Sequence, residues 1–188
     1  MRTALAVAAF VGFAGLALAL TRAGTTSTGA ASFTACKSTY ALCTTASCKP
    51  IPGQKGNLLC GCSVQRGYSA GTHACKAVVH TSAGQLIYSR YYPVKAYAEC
   101  SNSRPWAWCL DVPCLIDKNH PTRAACTCTV VTNQNPYVIV TDKYTTSTCT
   151  TGIISSATVQ GITEISNFIQ SKHLLPPFTI KVLNTPQP

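Results

Sequence analysis

Acidic side chains are scarce: five of the 188 residues are aspartate or glutamate, against fifteen lysines and arginines, and none of the five lies between Arg22 and Ala98. So few and so scattered carboxylates argue against chemistry that needs paired acids. Glycine-rich phosphate loops are missing, which speaks against nucleotide binding. No C-x-x-C, H-x3–5-H or C-x-x-C-H spacing occurs, which argues against the usual zinc frames and covalent haem. No N-x-[ST] sequon is present. After the first two dozen residues no apolar run reaches spanning length, so a multi-span membrane protein is excluded.

The charge that is present is lopsided. Lys37, Lys49, Lys55, Arg66, Lys76, Arg90 and Lys95 stand in the acid-free span, whereas four bases and four acids balance between Glu99 and Thr150. A one-sided basic surface favours acidic partners: anionic lipid headgroups, acidic glycans or an acidic protein face. Nucleic acid is not expected as a partner of an exported chain.

Export itself is read from the amino end. Arg2 precedes 17 apolar or small residues, 4–20. As a helix this run spans roughly 25 Å, short for a bilayer crossing and long for the core of a cleaved signal. Residues 1–23 are therefore a signal peptide or an uncleaved transmembrane anchor, and either one exports the remainder. Residues 24–35 are small and polar, as in a spacer.

Twelve cysteines, all beyond position 35, fit an oxidised, extracytoplasmic chain, periplasmic or at a cell surface. Cys36, Cys43, Cys48, Cys60, Cys62 and Cys75 are separated by steps of 7, 5, 12, 2 and 13. Cys100, Cys109, Cys114, Cys126, Cys128 and Cys149 follow with steps of 9, 5, 12, 2 and 21. The shared inner pattern reads as a tandem duplication. Tyr40-Ala41-Leu42-Cys43 aligns with Trp106-Ala107-Trp108-Cys109, and Val64 with Val130. Only the outer intervals vary, so Cys36–Cys75 and Cys100–Cys149 are the expected outer bridges. Bonding within C-x-C is disfavoured, because alternate residues of a strand stand about 6.5–7 Å apart. Two inner pairings per frame stay open. With every cysteine bridged, neither a metal nor another cofactor is expected.

Residues 58–64, 85–92, 125–131 and 137–142 are β-prone. Two turn-rich segments, KPIPGQKGN and IDKNHPTR, lie between the third and fourth cysteines of each frame. Beyond Cys149, Ile154, Val159, Ile162, Ile165, Phe168 and Ile169 recur at helical spacing, with Ser155 or Ser156 as cap and Pro176 past the end. The expected fold is thus a pair of small β-rich, disulfide-stapled modules in tandem (36–98, basic, and 99–150), between an N-terminal hydrophobic helix and a C-terminal amphipathic helix with its tail (151–188).

One motif raises catalysis. GYSAG, residues 67–71, has the G-x-S-x-G form of a nucleophile elbow and resembles the G-Y-S-x-G of small secreted esterases such as cutinases. Such a resemblance implies Ser69 as nucleophile, with Asp111 and His120 (or Asp142 and His173) completing the triad in chain order. That elbow needs alternating strands and helices, which the sequence does not show. The glycines read more simply as a turn. In RPWAW, Trp106 and Trp108 bracket Ala107 and point to one side of a strand, where packing beside Cys109 is expected. The sequence therefore points to a non-enzymatic extracytoplasmic scaffold or binding protein, expected as a membrane-anchored accessory subunit of a membrane complex held through its N-terminal helix. A free secreted binding module and a serine esterase using Ser69 are the alternatives. Candidate binding residues are Lys49, Lys55, Arg66, Lys76, Trp106 and Trp108.

Overall fold

Every second residue of the C-x-C segments is buried. Leu58, Cys60 and Cys62 point inward while Leu59 and Gly61 face solvent, and Ala124, Cys126 and Cys128 repeat the pattern between exposed Arg123, Ala125 and Thr127. Period-two burial is the signature of a strand with one wet face. It carries both sulfurs of each C-x-C pair to the inner side. The computed structural model describes residues 32–184. The expected N-terminal helix falls outside them. No helix among the described residues is long and apolar enough to cross a bilayer.

The strands are β1 (Thr34–Leu42), β2 (Cys48–Pro50), β3 (Asn57–Gly71), β4 (Val79–Thr81), β5 (Gly84–Tyr88), β6 (Ala96–Cys100), β7 (Trp106–Trp108), β8 (Pro113–Ile116), β9 (Arg123–Val131), β10 (Tyr137–Val140) and β11 (Lys181–Val182). Among the described residues, one α-helix, α1 (Val159–Ser171), precedes β11. An eight-stranded sheet runs β1-β3-β9-β8-β5-β4, with β2 also on β3 and β7 also on β9. A second sheet is ordered β10-β6-β11.

The two cysteine frames fold alike and meet in the middle of the large sheet. In the first, Cys48 faces Cys60 across β2 and β3, and Leu42 faces Ser63 across β1 and β3. In the second, Cys114 faces Cys126 and Trp108 faces Thr129 in the matching registers. β3 and β9 then pair antiparallel with Cys60 opposite Cys126, the fourth cysteine of one frame against the fourth of the other. A local two-fold relation passes through that pair. It is the arrangement of an isologous interface, formed here within one chain.

The bridges follow from these registers. Cys43–Cys62 and Cys109–Cys128 each span 19 residues, Cys48–Cys60 and Cys114–Cys126 each span 12, and Cys36–Cys75 and Cys100–Cys149 close the outer loops. No cysteine is free and no bridge joins the frames. Cys48–Cys60 and Cys114–Cys126 link residues directly opposed in antiparallel strands. Cys43 and Cys109 reach their partners from one residue past β1 and β7, and the Cα separations of all four are 4.1–4.7 Å. That is the spacing of a non-hydrogen-bonded pair, which brings the side chains close enough to bond. All four inner bridges lie in one core with Ala41, Leu58, Ile87 and Ala107. The sulfurs of Cys43 and Cys126 approach to 3.4 Å, so the frames also touch through their bridges. Sulfur here fills the place that large aliphatic side chains take in larger cores. Six such bridges place the chain in an oxidising, extracytoplasmic compartment.

Two local expectations need correction. GYSAG is the end of β3, paired with β1 from Ser38↔Gly67 to Thr34↔Gly71, not a turn. Gly67, at φ 134, supplies a conformation that other residues avoid, and the strand continues through it. The cap of α1 is Thr158, whose hydroxyl accepts from Gly161 N at 3.1 Å. Ser155 and Ser156 are still extended. Ser155 N donates to Ala46 O and Ser156 N to Ala107 O, holding the chain against the sheet until Thr158.

Tyr40 occupies in the first frame the position of Trp106 in the second, and both are buried. Burial, helped by nearby Tyr92, pushes the Tyr40 phenol up to about 12. Tyr91, Tyr97 and Tyr137 are raised by burial as well. A folded pKa above the unfolded one means stability is fully present below about pH 10 and is lost as pH climbs through about 12. Thermal melts across that window should show a falling midpoint, and Tyr40→Phe should make the fall shallower. An unchanged slope in the variant would remove Tyr40 from this account.

Candidate functional site

α1 turns its apolar face toward both sheets. Ile162 packs with Val94, Tyr97 and Val138, while Ile165 and Ile169 pack with Ala70 of β3. The Tyr91 hydroxyl pins the helix through Ser166 Oγ at 2.6 Å. The packing leaves a cavity of about 200 Å³ between α1, β10 and the ends of β1 and β7. Its wall is mainly apolar: Leu110, Val138, Val140, Ala157, Ile162 and Ile165 line it. The aromatic side chains of Phe33, Tyr91 and Trp108 also line it, as do Cys43 and Cys109, the equivalent second cysteines of the two frames. A dry cavity of about 150 Å³ accommodates a benzene ring, so this volume suits a small organic molecule.

Most polar groups in the wall are already engaged. Ser156 donates to Val138 O at 2.5 Å. Arg90 donates from Nη1 to Asp111 Oδ1 at 2.8 Å and to His73 O at 3.0 Å, and from Nη2 to Thr34 O at 2.6 Å. Both side chains of the Arg90–Asp111 pair are almost wholly buried, at 5% and 3% exposure. The remaining Arg90 nitrogen, Nε, is buried without a partner. Asp111 Oδ2 in turn accepts from Thr72 N at 2.6 Å, Thr72 Oγ1 at 2.9 Å and His73 N at 3.2 Å. The pair therefore ties the segment after β3, which carries Cys75, to the loops before β6 and after β7.

Glu164 is different. It lines the cavity from α1, half-buried, and takes one hydrogen bond from Gln160 Nε2 at 2.7 Å. It makes no ion pair among the described residues. The sequence reading missed it. The available signal was the rarity of acids, which makes a lone glutamate on an amphipathic helix conspicuous.

The structure gives each triad residue other partners. Ser69 is buried and donates to Cys36 O, Asp111 is held by Arg90 and Thr72, and His120 lies on an exposed turn beside Asp117, with Nδ1 3.0 Å from its carboxylate. The Asn119 backbone N–H, and then the His120 ring, hold Asp117 below the usual carboxylate range. Nor do the basic candidates converge. Lys49 and Arg66 are exposed on different strands, opposite Leu59 and Thr39 of the sheet, about 23 Å apart along β3. Lys55 is exposed in the loop before β3, and Lys76 stands 4.0 Å over the Tyr88 ring. Trp106 is buried, stacked on Tyr137, with its Nε1 donating to Gln134 O, while Trp108 alone of the two reaches the cavity. Cysteine sulfurs cluster closely enough for a metal at Cys43, Cys109 and Cys128, but each belongs to a bridge and offers no thiolate. No family model, curated protein or solved structure matches the chain.

Proposed function

We propose that this chain is a non-enzymatic, extracytoplasmic binding protein, and that the cavity beside α1 is its ligand site. The observation that carries this reading is a preformed, largely apolar volume, walled by a disulfide-stapled sheet on one side and by a pinned helix on the other. Ligand sites of small proteins are concave and apolar, with few polar groups placed in them. Rigid walls lower the ordering cost of binding. The two frames, with their shared register and bridges, are the halves of one duplicated unit, and the cavity touches the same cysteine of each.

The apolar amino-terminal run supports a second element of the reading: attachment as an accessory subunit of a membrane complex, with the basic strands turned toward an acidic lipid, glycan or protein surface. If the leader is removed, the same module acts as a free secreted binder.

Titration of the oxidised full chain with a small solvatochromic apolar dye tests the cavity. Saturable one-to-one binding is expected. Leu110→Trp fills the volume, so binding should be lost while the melting temperature holds or rises. Equal dye binding by that variant would place the dye elsewhere and reject the cavity as the site.

A further inference from the structure

The cavity's polarity narrows what it takes. Its apolar wall includes three aromatic side chains, Phe33, Tyr91 and Trp108, and one acid, Glu164. Among the described residues the one other charged side chain in the wall, Arg90, is neutralised by Asp111 at 2.8 Å and spends its remaining Nη donors on backbone oxygens and Cys36. The wall therefore carries one net negative charge, in a chain with five acids in total. Glu164 makes no ion pair among the described residues, so its charge is open to a ligand. A single amide from Gln160 is the one hydrogen bond its side chain receives among the described residues.

Aromatic faces carry negative potential, and organic ammonium ions bind where several rings and a carboxylate surround them. We propose that the site takes a small organic cation: a quaternary or tertiary ammonium group with an apolar body sized to about 200 Å³. The ammonium lies toward Glu164 and the aromatic side chains, and the apolar body lies along Val138, Ala157 and Ile162. The chain's net charge of +10 does not prevent this, because exposed charges more than a Debye length away are screened at physiological salt, whereas the local carboxylate is not. This inference rests on the cavity being a ligand site.

Three probes separate the two claims: phenyltrimethylammonium, its neutral isostere tert-butylbenzene, and phenylacetate as an aromatic anion of similar size. Isothermal titration of the oxidised full chain should rank the cation about tenfold tighter than the neutral probe, with the anion weakest. Glu164→Gln keeps the size of the side chain and its contact with Gln160. It should weaken the cation several-fold, leaving only the rings' share of its preference, and leave the neutral probe unchanged. Neutral and cationic probes binding alike, or a preference undiminished by Glu164→Gln, would overturn the cation assignment while the apolar site stands. Absence of binding by all three would overturn both.

Discussion

Gly71→Ala is expected to destabilise the folded chain by about 3–5 kcal/mol, the loss seen when a buried ion pair is broken. An added Cβ at Gly71 would overlap Asp111 Oδ1 and stand 2.5 Å from Arg90 Nη1 and 2.7 Å from Asp111 Oδ2. Neither partner can retreat at low cost. Arg90 is held by Thr34 O and His73 O, and Asp111 by Thr72 and His73. Displacing the pair frees the segment with Cys75 and leaves two charges buried and poorly matched. Ser69→Ala, two residues away in the same strand, is the contrast. Its hydroxyl makes one long contact, 3.5 Å to Cys36 O, and the change should cost about 1 kcal/mol or less. Chemical denaturation of the oxidised proteins measures both. A Gly71→Ala variant within 1 kcal/mol of the parent would show that the pair yields without penalty.

The inner bridges give the second large effect. Replacing Cys48 and Cys60 together by alanine removes the constraint of a loop spanning 12 residues, worth about 3 kcal/mol by chain entropy, and adds about 1–2 kcal/mol for the void left by two buried sulfurs. The same double replacement at Cys114 and Cys126 should cost the same. Separation, register and burial are alike in the two frames. Each loss approaches the whole stability of an ordinary domain, so removing both bridges should leave the chain unfolded. Unfolding free energies that differ between the two variants by more than about 2 kcal/mol would contradict the equivalence of the frames.

What could be read without coordinates was the local chemistry of the strands. A C-x-C pair in an extended segment must face one side, so bonding within it was disfavoured, and the outer bridges were expected from the variable intervals. The nested inner pairing depends on Cys48 facing Cys60 and Cys43 facing Cys62, registers that residue spacing alone leaves undecided between two crossings. The pairing of β3 with β9 was out of reach for the same reason. Nothing local to Cys60 announces that Cys126 stands opposite, and the repeat pattern pointed to two modules in series.

GYSAG was misread because glycine content was taken for a turn. Gly71 is required by close approach of Arg90 and Asp111, which lie 19 and 40 positions further along the chain, and no pattern near residue 71 signals that contact. The cavity draws its wall from Phe33 to Ile165, so it exists only after the helix has packed. The amphipathic stripe of α1 was legible, and so was its need for a partner. That it would leave a volume unfilled beside Trp108 was not.

Heteronuclear NMR of the isotope-labelled, oxidised full chain, titrated with phenyltrimethylammonium and separately with toluene, tests the central claim most directly. If the volume beside α1 is the binding site, the shifts with both ligands concentrate on Tyr91, Trp108, Leu110, Val138, Ala157 and Ile162 and saturate at one equivalent. Shifts spread over the exposed sheet residues Leu59, Val79 and Thr127, or no shifts from either ligand at millimolar concentration, would contradict it.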